Sequence, residues 1–337
     1  MVQVVNEPDV FLMRISDLVK DFVAFLCEGT LRNHRSSAGG TGFFVQVPSE
    51  DQAGDHCYLI TAKHVIEEIQ KGASDQVYVK INVRSQEHTP AGVRFIGIPF
   101  EQWRMHQDES VDLAVALWNP QPSTVFPRFD TISLGMLATP EFLERENIGI
   151  GDTIFYAGLF TSHQRTSRNI PVARMGHIAA MPEEPLHDNR GAFEAYLVET
   201  LSVGGFSGSP VFVGLESRHG PAYTLKDYGP WTADQSPPAS RPDEPEYASL
   251  LGVLSGHFPH RQQYGMIHSG LSFVVPASKL RELLNQEDVM KERKRKEQKQ
   301  RQPVTSLDAG FPMLTPEQFH QMLKRASRKH VPDQEKS

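Results

Sequence analysis

The sequence predicts an all-β protein made of two barrels or sandwiches in tandem. Three observations predict it. From about residue 40 onward, apolar residues recur with a period of two in short runs. Those runs fall into two groups, each punctuated by turn residues. The length, 337 residues, suits two modest domains that share an interface.

The elements follow in chain order. Before the strands, Phe11, Leu12, Ile15, Leu18, Val19, Phe22 and Leu26 fall at helical spacing, so residues 10–28 are expected as an amphipathic helix packed on the body. The first strand group reads GFFVQV, HCYLITA, QVYVKINV, VRFIGI and DLAVALW. The second reads DTIFYAGLF, ARMGHIAAM, AYLVET, SPVFV, SLLGVLS and LSFVV. Residues 214–247 are rich in Pro, Gly, Ser and Asp and are expected as a long loop between two strands of the second group. After Pro276, SKLRELL is expected as a terminal helix. Thr315 followed by Pro and then Gln318 signals a last short helix with Phe319, Met322 and Leu323 on its apolar face. The predicted organisation is a helical extension over 1–35, a first domain over 36–125, and a second domain with its helix over 126–286. A basic, partly disordered tail over 287–337 completes it.

Charge and composition exclude several classes. The net charge is −7, yet residues 291–337 carry 12 basic against 6 acidic side chains, which leaves an acidic body. An acidic body argues against a nucleic-acid-binding core. The run from Lys291 to Arg301 has little to bury and reads as a solvated extension. Two cysteines, Cys27 and Cys57, rule out a disulfide-stapled scaffold. No signal core or membrane-length apolar stretch is present, so a soluble protein of a reducing compartment, the cytoplasm, is expected.

Three segments carry chemistry. Leu59 to Ile66 runs a strand into His64 at the start of a helical turn. Val111-Asp112 places an acid at the mouth of an apolar strand. Gly204-Gly-Phe-Ser207-Gly-Ser-Pro210 places a serine at the tip of a glycine-rich turn before another strand. A serine hydroxyl is a poor nucleophile at neutral pH. It needs a base within hydrogen-bond reach, and the base needs a carboxylate to fix its tautomer. Glycines in the turn let the amides of Gly205 and Ser207 face one oxyanion. Asp108, Glu109 and Ser209 are rivals for these roles; neither Asp108 nor Glu109 directly precedes the apolar strand.

Taken together, these segments resemble the trypsin-like (chymotrypsin-fold) serine peptidases. Gly40-Thr-Gly42-Phe-Phe-Val is similar to the family's opening strand, Thr61-Ala-Lys-His64-Val to its histidine segment, and Asp112-Leu-Ala-Val to its aspartate segment. Gly205-Phe-Ser207-Gly-Ser-Pro is similar to its nucleophile turn. Leu251 to Gly256 resembles the wall of the primary pocket, and Gly270 to Pro276 the last strand. The order His, Asp, Ser also matches, and the resemblance spans about residues 36–285. It implies two antiparallel six-stranded β-barrels with a cleft between them. It also implies a substrate pocket at Leu201, Ser255, Gly256 and His257.

The chain departs from the secreted members. Phe206 stands where they carry the acid that pairs with a cleaved N-terminus, so activation by that ion pair is not expected. Their cysteine pairs are missing, which fits an intracellular, bacterial-type member. Leu201 offers no counter-charge to a basic P1 side chain. An apolar or small P1 residue is expected, with His257 leaving a polar or acidic one open. With about 50 residues after the barrels in this sequence, an appended PDZ domain is not expected.

The function expected is a serine endopeptidase acting through an acyl-enzyme on a protein or peptide. No cofactor and no metal are expected, since no HExxH, P-loop or dinucleotide fingerprint is present and a cluster of His257, His260 and His268 is disfavoured. The alternative is a catalytically quiet binding module that recruits a regulatory partner through residues 315–326 and the 214–247 loop.

Overall fold

The computed structural model describes residues 22–29, 39–49, 55–72, 74–84, 90–118, 126–128, 131–160, 168–188, 191–200, 204–213, 249–262 and 265–301. The loop expected at 214–247, the helix expected at 315–326 and Leu201 lie outside the described residues. The chain divides into a unit ending at Arg293 and one beginning at Lys294.

The first lobe is a nine-stranded sheet. Its strands are β1 (Val23–Cys27), β2 (Gly39–Val47), β3 (His56–Thr61), β4 (Val77–Arg84), β5 (Pro90–Ile98), β6 (Trp103–Met105), β7 (Ala114–Leu117), β8 (Phe126–Arg128) and β9 (Ile132–Ser133). The order is β5-β4-β1-β2-β3-β7-β6, with β8 on β4 and β9 on β2. Helix α1 (Lys63–Lys71) follows β3 and buries Val65, Ile66 and Ile69. These join Leu26, Phe44, Leu59, Val79, Trp103 and Trp118 in the lobe's core.

Val23–Cys27 is a strand, which corrects the last part of the helix expected over 10–28. The physical reason is burial on both faces. Ala24 and Leu26 face the core of the first lobe, while Val23 and Phe25 belong to a second cluster that reaches the other lobe. A strand buried on both faces reads as a continuous apolar run, which periodicity alone does not separate from a helix.

The second lobe starts after helix α2 (Pro140–Arg145), which Thr139 caps by accepting from the Phe142 N–H at 3.2 Å. Its strands are β10 (Thr153–Gly158), β11 (Val172–Ala180), the hairpin β12 (Leu186–Asp188) and β13 (Gly191–Phe193), β14 (Tyr196–Glu199), β15 (Pro210–Val213), β16 (Ser249–Gln262) and β17 (Gly265–Pro276). Six of them close a barrel in the order β10-β11-β14-β17-β16-β15. The fold is therefore all-β and takes the two-lobed form the resemblance implies. The second lobe closes, and among the described residues the first leaves β5 and β6 as the two ends of its sheet.

An apolar interface joins the lobes. Phe43, Ile60 and Val115 of the first pack in one cluster with Phe155, Phe212 and Val253 of the second. Helix α3 (Ala277–Leu284) adds Leu280, Leu283 and Leu284, and helix α4 (Glu287–Arg301) adds Val289. Buried Arg293 donates to the Leu284 carbonyl at 2.7 Å and to the Tyr58 hydroxyl at 3.2 Å. The helix that leaves the second lobe is thereby tied back to the first. The basic run expected as a solvated extension is thus helical through Arg301.

Candidate active site

Helix α1 begins without a cap of its own. Residue 62 is alanine and has no side chain to accept from the first-turn amides. Asp112 supplies that acceptor from the loop before β7. Its Oδ1 accepts from the His64 backbone N–H at 2.9 Å, and its Oδ2 accepts from His64 Nδ1 at 2.6 Å. With Nδ1 donating to the carboxylate, Nε2 keeps its lone pair. The His64 side chain is 28% exposed and that of Asp112 10%. A third donor, the Ser255 hydroxyl, also reaches Asp112 Oδ2. Burial pushes the Asp112 carboxyl up, but the hydrogen bonds and charge of His64 and the Ser255 hydroxyl outweigh it. The carboxyl is held below its ordinary value.

The Gly204–Gly208 turn carries Ser207. Gly205 and Gly208 sit at φ +99° and +86°, in the region that glycine alone enters freely. At Gly208 a Cβ would lie 2.0 Å from the Thr41 carbonyl oxygen, so the approach of β2 also demands glycine. Between them Phe206 is fully buried. Its ring meets Tyr156 edge-on at 5.4 Å, and the Arg174 guanidinium lies over it at 5.2 Å. Ser209 N–H donates to the Phe206 carbonyl at 3.0 Å, and Gly208 N–H to the Leu254 carbonyl at 2.7 Å. Among the described residues, the N–H groups of Gly205 and Ser207 have no acceptor. Two donors left in this state in one turn are what an oxyanion site requires.

Ser207 is half-buried and its hydroxyl donates to the Ser255 carbonyl at 3.2 Å. Ser255 therefore touches both halves of the site, Asp112 through its hydroxyl and Ser207 through its carbonyl. The structure brings His64, Asp112, Ser255 and Ser207 into one hydrogen-bonded chain, with Gly205 two residues from Ser207. Ser255 was expected in the substrate pocket; its side chain is buried against Asp112. Gly256 is half-buried on β16 opposite Phe273. His257 is in β16 opposite Ser272, and only its backbone is described.

The rivals are placed elsewhere. Asp108 accepts from the Ser110 N–H and hydroxyl at 2.9 and 2.7 Å in an exposed turn. Ser209 is fully buried beside Gly158, and among the described residues its hydroxyl has no hydrogen-bond partner. Sequence reading did not single out Thr41, which bonds to the turn directly. Its only signal was a threonine between Gly40 and Gly42. Among the described residues, no three His, Cys, Asp or Glu side chains are grouped to hold a metal, and no helix is long and apolar enough to cross a membrane.

No protein-family model matches the chain, and no curated protein matches it. Solved structures similar to it include the protease domain of MamO from Magnetospirillum magneticum in its apo form. That match has 14% identity and a TM-score of 0.45, covering 80% of this chain and 99% of that one. Deg5 is similar at 14% identity and a TM-score of 0.41, covering 78% of this chain and 87% of that one.

Proposed function

We propose that the chain is a serine endopeptidase that cuts a protein or peptide substrate through an acyl-enzyme. The observation that carries this reading is the hydrogen-bonded chain from His64 through Asp112 and Ser255 to Ser207. Ser207 Oγ attacks the scissile carbonyl after its O–H turns from the Ser255 carbonyl to His64 Nε2. His64 takes the proton and returns it to the leaving amine. Asp112 holds the imidazole in the tautomer that keeps Nε2 basic and stabilises the cation that forms. The Gly205 and Ser207 amides receive the oxyanion. Water deacylates the enzyme by the same route in reverse.

The substrate groove is read from the sheet. Strand β15 pairs with β16 only as far as Pro210 opposite Val253, whereas β17 continues past Gly256 and His257. Among the described residues, Ser255 to His257 thus offers one edge without a strand partner next to Ser207, to which an extended peptide can add as a strand. Added side chain at Gly256 would meet nothing closer than Phe273 at 3.9 Å, so the peptide has room there. Cys27 is a buried thiol that donates to the Tyr78 carbonyl at 3.4 Å, which supports a cytoplasmic setting.

Labelling by a fluorophosphonate probe tests the reading. Wild-type protein is expected to label at Ser207, and Ser207→Ala and His64→Ala to lose about 10⁴-fold in kcat while keeping the fold. A wild-type chain that never labels and cleaves no peptide library would instead be the quiet binding module.

A further inference from the structure

Thr41 has no part in the chemistry above, yet its bonds converge on the nucleophile turn. It lies on β2 in the first lobe and is fully buried. Its N–H donates to the Ser207 carbonyl at 2.8 Å. Its hydroxyl donates to the Gly205 carbonyl at 2.8 Å and accepts from the Leu159 N–H, just past β10, at 2.8 Å. Its own carbonyl accepts from the Thr61 hydroxyl at 2.7 Å, which fixes β2 against the end of β3. A hydroxyl has one hydrogen. Here Leu159 occupies a lone pair and Gly205 takes the hydrogen, so the rotor has a single satisfied position.

A trans peptide group carries its C=O and N–H on opposite sides. Holding the Gly205 carbonyl therefore fixes the peptide group between Gly205 and Phe206. Holding the Ser207 carbonyl fixes the one between Ser207 and Gly208. The group between them has its carbonyl turned inward to the Ser209 N–H at 3.0 Å, so its N–H, that of Ser207, points outward. Three successive peptide groups are thus held, two of them by one threonine of the other lobe. Neither carbonyl that Thr41 holds belongs to the peptide groups whose N–H would bind the oxyanion. It constrains those two groups from their flanks.

We infer that Thr41 is a positioning residue that locks the nucleophile turn, from across the lobe interface, with the Ser207 amide facing out. Its consequence for rate rests on the hydrolase reading; the lock itself does not. The consequence is that the turn is formed at rest and depends on the seating of β2 against the second lobe.

The test compares wild type with Thr41→Val, Thr41→Ala and Thr41→Ser in the full chain. Two measurements are made: hydrogen exchange of peptides covering Leu159 and Gly204–Ser209, and the fluorophosphonate labelling rate with kcat and KM on a peptide. Val and Ala are expected to raise exchange in both peptides and to slow labelling and kcat by about 10²-fold with KM unchanged. Ser keeps the hydroxyl and is expected to match wild type in every readout. Unchanged exchange in the turn for Val and Ala overturns the inference, as does a Ser variant as impaired as Val. Should Val and Ala fold poorly, the Ser comparison still decides, because it removes only the methyl group. A wild-type chain that does not label, but whose turn loosens in Val and not in Ser, keeps the lock and removes the hydrolase reading instead.

Discussion

The two lobes hold their halves of the site by different forces. In the first lobe, His64 and Asp112 are fixed by charge and hydrogen bonding: one buried carboxylate accepts three bonds, two from the same residue. In the second, the turn around Ser207 is fixed from within by volume: Phe206 is fully buried among Tyr156, Val211 and Leu254. The difference has a practical meaning. Orientation stored in a carboxylate is lost when one atom changes its donor or acceptor character, with little change in shape. Orientation stored in packing is lost when volume is removed, whatever the polarity. The base and its acid should therefore respond to isosteric substitutions, and the packing inside the nucleophile turn, as distinct from its bonds to Thr41, to truncations.

Asp112→Asn should have the largest effect. The amide nitrogen cannot accept from His64 Nδ1, so the imidazole is expected to adopt the other tautomer, with Nε2 protonated and no longer a base. Turnover should fall by about 10⁴-fold, or about 5.5 kcal/mol in barrier. The protein should still unfold cooperatively, because the change is nearly isosteric. Equal labelling of Ser207 in Asp112→Asn and wild type would show that the first lobe does not act through this carboxylate.

Phe206→Ala comes next and acts on stability. Removing a fully buried ring typically costs about 3–5 kcal/mol, and here it also strips the Arg174 guanidinium of the ring beneath it. Phe206→Leu retains most of the volume and should cost distinctly less. Denaturant melts of the two variants measure the difference. Equal losses for Ala and Leu would mean that the aromatic contacts, and not the volume, hold the turn.

How much of this was legible in the chain follows from where each interaction closes. Strands such as β2 and β3 announced themselves by their β-branched and aromatic residues and bounding turn residues, although both are buried on both faces. His64, Asp112 and Ser207 stood out as candidates because each sits in a short segment with a distinctive strand or turn context. β1 was not legible, since its apolar run follows apolar residues at helical spacing with no Gly or Pro between them to mark a boundary. The open first lobe was not either, because pairing of sheet ends is a property of the whole sheet rather than of any segment. Ser255 was read as pocket wall, yet its hydroxyl serves Asp112, 143 positions away. Thr41 was least visible: its hydroxyl closes contacts 118 and 164 positions away, and nothing next to it in sequence records either.

Ser255 joins the two halves and gives the smallest and sharpest test. Its hydroxyl is one of the groups that hold the Asp112 carboxyl below its ordinary value. A carboxyl depressed in the folded state adds stability that is fully present above its unfolded value, and this is lost as pH falls through the folded one. The unfolded value lies near 3.8, so the contribution should persist at neutral pH and fade only in more acid solution. Ser255→Ala removes one depressing bond and moves the folded value back up. At neutral pH the variant should be less stable by about 1–3 kcal/mol, the scale of a hydrogen bond to a buried charge. As pH falls below 3.8 and on through the lower folded values, Asp112 becomes protonated in both proteins and the bond to a charge no longer exists in either. The gap between their unfolding midpoints should therefore narrow as pH falls. A gap that stays constant through that range would assign the loss to packing and place Ser255 with the second lobe's way of holding its residues, not the first's.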